Sequence, residues 1–226
     1  MKVALNSFNR PYLFLSIIFF VALTALVSCK SKDDDLYVVK GEAKIKLINA
    51  VQNKPAIDFY IDDIKVNSSA LAFGESSDYI KIASGIKTTK VNQNVNSQFN
   101  YIPTFSYTSF FIEDKVGKGS ILTFEDNLGA VEMGKVRIKF INLSPNFTNA
   151  ININLPGGVL LVNSLTFKSA SGYFTIDPNT NILVSVLGTG TVKTALAAEF
   201  VEGKIYTLWL SGSSNATLSI NKVTYN

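Results

Sequence analysis

The chain repeats itself. Lys44-Ile45-Lys46-Leu47-Ile48-Asn49 returns as Arg137-Ile138-Lys139-Phe140-Ile141-Asn142, and Ala56-Ile57-Asp58-Phe59-Tyr60-Ile61 returns as Ala150-Ile151-Asn152-Ile153-Asn154-Leu155. Further on, Leu71-Ala72-Phe73 through Tyr79-Ile80-Lys81-Ile82 matches Leu165-Thr166-Phe167 through Tyr173-Phe174-Thr175-Ile176. Tyr107-Thr108-Ser109-Phe110-Phe111 likewise matches Tyr206-Thr207-Leu208-Trp209-Leu210. The order is kept and the offset drifts only from about 93 to about 99 residues, the mark of one unit duplicated. Whatever the unit is, it has to fold in about 90 residues and occur twice. The copies run over 40–128 and 136–226, with Gly129 to Gly134 as the joint; a single continuous sandwich drawn from both halves is the alternative.

Each copy reads as all-β. Ile45 and Leu47 alternate with Lys44 and Lys46, as Ile138 and Phe140 alternate with Arg137 and Lys139, so the pattern predicts one buried and one wet face. The next strand repeats it with Ile57, Phe59 and Ile61, and with Ile151, Ile153 and Leu155. Turn signals punctuate the rest: Asp62-Asp63, Gly85, Gly117-Lys118-Gly119, Pro156-Gly157-Gly158, Asp177-Pro178-Asn179 and Gly188-Thr189-Gly190. About seven short strands per copy is the size of an immunoglobulin-like or transthyretin-like sandwich. The expected fold is therefore two tandem antiparallel β-sandwich domains after an N-terminal signal helix.

These motifs carry a resemblance. A Lys/Arg-Ile-Lys-x-Ile-Asn strand, an alternating Ala-Ile strand, a Leu-x-Phe-Gly segment leading to a Tyr, and a late Tyr-Thr strand resemble domain-of-unknown-function family 4397, which occurs as tandem copies in bacterial surface lipoproteins. The family's Ser-Pro turn is kept at Ser144-Pro145 and replaced by Val51-Gln52; its Phe-Gly is kept at Phe73-Gly74 and becomes Phe167-Lys168 in the second copy. The resemblance implies a strand framework and carries no catalytic residues.

The N-terminus supplies an address. Lys2 and Arg10 precede an apolar run from Tyr12 to Val27, and Leu26-Val27-Ser28-Cys29 closes it with the chain's only cysteine. The run is about 16 residues, short of the roughly 20 a bilayer-spanning helix needs, and reads as a signal peptide over 1–28. Leu26, Val27 and Ser28 before Cys29 look like a bacterial lipobox, which implies a covalent lipid on Cys29 and a membrane anchor without a span. Lys32-Asp33-Asp34-Asp35, in an acidic tether over 29–39, resembles the export tag of Bacteroidetes lipoproteins displayed on the outer membrane. The expected location is the outer membrane, lipid-anchored and facing out.

Chemistry is narrowed by what the sequence lacks. There is no histidine, and Cys29 is committed to lipid, so histidine-based triads, Cys-His nucleophiles and thiolate or imidazole metal sites fall away. The formal charge of +4 drops to +2 once Lys2 and Arg10 leave with the signal, which gives no electrostatic case for nucleic acid. The best carboxylate group, Asp62-Asp63 with Glu75 and Asp78, reads as turn and solvent-face charge. No catalytic, metal or cofactor site is expected besides the lipid. The aromatic run Phe99 to Phe111 and the outward-facing Tyr60 are the candidate ligand contacts, with Tyr60, Phe99, Tyr101 and Phe105 singled out for a glycan or protein ligand. Trp209 answers Phe110 in the other copy, which points to a shared packing role. The expected function is non-catalytic binding or scaffolding; a fimbrillin-like subunit assembling by strand exchange is the alternative.

Overall fold

Sixteen strands build the described part of the chain. The computed structural model describes residues 40–225 apart from 93, 148–149, 197–198, 213 and 215, so Cys29, the segment Leu26–Ser28 and the tag Lys32–Asp35 lie outside it. The first half holds β1 (Glu42–Asn49), β2 (Phe59–Ile61), β3 (Ile64–Lys65), β4 (Ile80–Ala83), β5 (Gly85–Val91), β6 (Val95–Tyr101), β7 (Ser106–Glu113) and β8 (Gly119–Asp126). The second holds β9 (Val136–Asn142), β10 (Ile151–Asn154), β11 (Leu160–Leu165), β12 (Ala170–Ile176), β13 (Ile182–Val186), β14 (Gly190–Ala195), β15 (Ile205–Ser211) and β16 (Ser219–Tyr225).

The duplication seen in the sequence is a duplication of topology. The first half forms sheets ordered β4-β1-β7-β8 and β3-β2-β5-β6, and the second forms β12-β9-β15-β16 and β11-β10-β13-β14, the same two orders strand for strand. There are eight strands per half where about seven were expected. The antiparallel expectation also needs correcting, because β1 runs parallel to β7 and β9 parallel to β15. The chain alternates between the sheets: β4 comes back antiparallel to one side of β1, and after β5 and β6 the chain returns as β7, parallel to its other side. No α-helix occurs among the described residues.

Inside each half, the two sheets face each other over their own core. In the first half Ile45 and Leu47 of β1 pack with Phe59, Val91, Tyr101 and Tyr107; in the second, Ile138 and Phe140 of β9 pack with Ile151, Val184 and Leu208. A third core lies between the halves. Ile48, Phe110 and Ile112 on the outer face of β4-β1-β7-β8 meet Ile141, Trp209 and Val223 on the outer face of β12-β9-β15-β16. Four sheets are thus stacked, with the first and last strands of each half in the middle. Phe110 and Trp209 touch edge-to-face at 6.0 Å, the shared packing role their matched positions suggested.

That third core corrects the reading of β9. Alternation predicts Lys139 on a wet face, yet it is only 4% exposed, because a second sheet covers the face that the pattern left open to water. A short strand reports parity, not what lies against each side.

The matched Ile-Asn motifs each end a strand with a buried clamp. Asn49 Nδ2 donates to Leu71 O at 3.0 Å and its Oδ1 accepts from Val51 N at 3.0 Å; Asn142 does the same with Leu165 O at 3.0 Å and Ser144 N at 2.9 Å. Both side chains are buried, so truncation strands a carbonyl and an amide without water. Asn142→Ala is expected to lose about 1–3 kcal/mol in urea unfolding, and Asn49→Ala a similar amount.

Two ends of the stack can be told apart. Thr108 and Thr207, near the starts of β7 and β15, both approach Tyr225 Oη, at 2.9 and 3.3 Å, so β7 and β15 begin at the same end. The starts of β1 and β9 lie there too, since each runs parallel to its neighbour, and this end is called the base. The opposite end, where β1, β7, β9 and β15 finish, is the crown.

Candidate functional site

The seam between the halves carries a buried polar group and a cleft. Asp126, at the end of β8, has a fully buried side chain that faces Lys139 Nζ across the seam at 3.5 Å. Tyr79 Oη donates to Asp126 Oδ2 at 2.8 Å, Thr108 Oγ1 donates to the same oxygen at 2.6 Å, and Lys139 Nζ also donates to Glu125 O at 2.9 Å. Burial raises the Asp126 carboxyl above its ordinary range against the pull of Lys139 and the hydroxyls, and burial lowers the Lys139 ammonium. Tyr79 and Tyr225 are pushed up by the same burial and by the Asp126 charge. This group is enclosed by protein and works as a structural pin.

The cleft lies at the crown, where loops at matching positions of the two halves converge. Its volume is about 210 Å³, and it is lined from the first half by Gln52, Asn53, Glu113 and Asp114, and from the second by Pro145, Asn146 and Ser211. Gln52 Nε2 reaches across to Ser211 Oγ at 3.5 Å, so the cleft floor is tied from both sides. Ser144 of the Ser-Pro turn donates to Gly212 O at 2.5 Å and fixes the second-half wall. Gly212 sits at φ +115°, and a Cβ there would fall 2.3 Å from Thr217 O, so only glycine fits.

A neighbouring recess shares Asp114 and Pro145 and adds Val116 and the half-buried ring of Phe167. The two recesses adjoin at Asp114 and Pro145 as the crown groove, with Phe167 lining one and amide and carboxylate groups lining the other. The carboxylates are engaged. Glu113 pairs with Lys54 at 3.5 Å, and Asp114 Oδ1 accepts from Lys118 N at 2.9 Å and Val116 N at 3.0 Å. Those amides, Lys118 first, hold the Asp114 carboxyl below its ordinary range.

The residues singled out from the sequence are scattered by the structure. Tyr101 is fully buried, and Phe99 faces the same core, where the two rings and Tyr107 stack within 4.9–5.3 Å. They are core residues, not surface contacts, because alternation along β6 turns both inward. Tyr60 does point outward, opposite Lys65 and Lys90 on the outer face of β3-β2-β5-β6. Phe105 is 41% exposed at the base, beside a recess of about 410 Å³ shared with Thr104, Glu125 and Leu128. Asp62, Asp63 and Glu75 serve separate local roles, on Lys87 at 2.8 Å, on Lys90 at 2.5 Å, and on Ala72 N at 2.8 Å. Among the described residues no three carboxylates, histidines or cysteines gather to hold a metal. The crown groove escaped sequence reading because its walls are some 90 residues apart and meet only through duplication.

The fold and the groove define a duplicated β-sandwich protein with a cleft on its internal seam. Comparison with known proteins places it further: residues 43–154 match the family described as Domain of unknown function (DUF4397), so the chain carries a DUF4397 domain. The match ends with the last residue of β10 and takes in the first half and two strands of the second. No curated protein matches the chain. Among solved structures the chain is similar to one described as "Alpha-glucan binding by a streptococcal virulence factor", at 10% identity and a TM-score of 0.26, over 79% of this chain and 97% of that one.

Proposed function

We propose that the protein is a non-catalytic binding protein, anchored by lipid at Cys29 to the outer membrane and displayed on the cell surface, which takes an extracellular glycan in the crown groove. The observation that carries this reading is the groove itself, built jointly by both halves, with Phe167 in one recess and Gln52, Asn53 and Asn146 in the adjoining one. A ring face next to planar amides suits a neutral sugar, whose C–H face stacks on the ring while its hydroxyls exchange hydrogen bonds with the amides. Glu113 and Asp114 disfavour phosphate-rich ligands, and both carboxylates are occupied by their own partners rather than poised as an acid–base pair. The shared third core keeps the two walls in register, so the site is preformed.

A panel of neutral oligosaccharides tested against the Cys29→Ala protein checks the site. Binding is expected to weaken about tenfold in Phe167→Ala, the loss of a stacking contact worth about 1.4 kcal/mol. Asn146→Ala is expected to weaken it as well, while Tyr60→Ala leaves it unchanged. Failure of every sugar to bind, or indifference to Phe167→Ala, sinks the glycan reading. Antibody labelling of intact cells tests the address separately: display that is lost in Cys29→Ala supports the lipid anchor.

A further inference from the structure

Exposed apolar side chains are distributed unequally between the two ends of the molecule. Among the described residues eleven large apolar side chains are exposed. Only Val116 and Leu187 lie on crown turns, after β7 and after β13. The other nine sit on hairpins and loops that turn at the base or on its side. Single exposed hydrophobes are ordinary, but this concentration is not.

The base loops repeat the pattern in both halves. Ile102 N donates to Tyr107 Oη at 3.1 Å, and at the matching position Val201 N donates to Tyr206 Oη at 2.7 Å. The side chains of Ile102 and Val201 are 45% and 59% exposed. Around them stand Ile86 at 71%, Phe105 at 41%, Leu196 at 56% and, on the connection between the halves, Met133 at 93%. The loop of Ile102 is held firmly: Thr104 takes the left-handed conformation at φ 71°, which is costly for a β-branched residue, and its N–H donates to Glu42 O at 2.7 Å.

The chain enters the sandwich at this same end. Gly41 lies against Pro103, so closely that an added Cβ would fall 2.8 Å from the proline Cβ, and Gly41 N donates to Ser84 Oγ at 3.0 Å. Ten residues lie between Cys29 and Lys40, a reach of at most about 40 Å even fully extended. We infer that the base is a membrane-docking surface, with Ile86, Ile102, Phe105, Met133, Leu196 and Val201 resting in the lipid interface and the crown groove turned away from it. The inference rests on the lipid anchor at Cys29 proposed above. Charges at the base are mixed, with exposed Lys40 and Lys44 beside Glu125 and Glu202, so the attraction is apolar burial rather than recognition of anionic headgroups.

The test uses the full lipidated chain, in which Cys29 is consumed and a new cysteine is therefore the only free thiol. Ile102→Cys, Val201→Cys and, at the crown, Asn146→Cys are each labelled with an environment-sensitive dye in phosphatidylethanolamine vesicles. A doxyl-labelled lipid is expected to quench the dye at 102 and 201 and leave it bright at 146, with the opposite order for iodide in the water. Anchored protein whose dyes at 102 and 201 respond to iodide as the one at 146 does would overturn the docking inference and leave the anchor standing. Dyes at 102 and 201 shielded from both quenchers mean that a second copy covers the base, which overturns the lipid assignment. Protein that never partitions into vesicles or cell membranes sinks the anchor and the docking together.

Discussion

Lys139→Met is expected to destabilise the protein by about 3–5 kcal/mol at neutral pH, the cost of leaving a buried carboxylate without its counter-ion. The side chains of Lys139 and Asp126 are 5% and 0% exposed, so water cannot take the place of the missing partner. The pH dependence follows from the direction of the Asp126 shift. Burial raises its folded pKa above the unfolded value near 3.8, so its contribution to stability is fully present below that value and is lost as pH rises through the folded pKa. Removing Lys139 removes the largest opposing influence and raises that pKa further. The deficit of Lys139→Met against the parent protein should therefore shrink as pH falls from neutral toward 4. Urea unfolding at several pH values measures this, and a deficit that stays constant or grows in acid would reject the account. Asp126→Asn with Lys139→Met should recover part of the loss, since the pair is then neutral on both sides and the hydroxyls of Tyr79 and Thr108 still have an acceptor.

Trp209→Ala is expected to cost about 3–5 kcal/mol through the cavity it opens in a packed core. Trp209 is 1% exposed and meets Phe73 at 5.8 Å and Phe110 at 6.0 Å, both from the other half. The loss should appear first as loosening of the seam. Amide exchange at Ile48, Phe110 and Ile141 should accelerate more than at Ile45 or Ile138, which belong to the separate cores of the halves. Uniform acceleration through all three cores would show that the halves unfold only as one cooperative body. Trp209 is also the chain's single tryptophan, so its fluorescence in the parent protein reports on the seam alone.

Much of this architecture can be read from the residues. The duplicated Lys-Ile-Lys-x-Ile-Asn strands and the turn residues lead to two copies of one β unit, and Ile45, Leu47, Ile138 and Phe140 face inward as alternation requires. The sequence also sets Phe110 and Trp209 at matching positions, and the two rings meet in the third core. What alternation cannot state is whether the second face of a strand meets water or another sheet. The clue was present in Ile48, Ile141 and Phe110, apolar residues at outward parity, but the lysines between them suggested solvent. Asp126, thirteen residues earlier across a chain connection, turns in to meet Lys139 there at 3.5 Å. The aromatic run failed in the other direction, since Phe99 and Tyr101 share a parity that proved to be the core's. The crown groove was invisible for a different reason: a cleft is a property of loops brought together, and no local pattern encodes it.

The single carboxylate on the seam makes the two halves unlike partners. Lys46 and Lys139 occupy equivalent places, as do Asp126 and Tyr225, yet it is Lys139 that pairs with the buried acid; Lys46 donates to Ser77 O at 2.9 Å and is drawn by Asp78 and Asp126 from further off. Two second halves from neighbouring molecules, meeting through this face, would bury two lysines against tyrosines with no acid between them. Such a pairing is penalised by several kcal/mol per stranded ammonium. One aspartate therefore biases each second half toward a first half and away from its own kind.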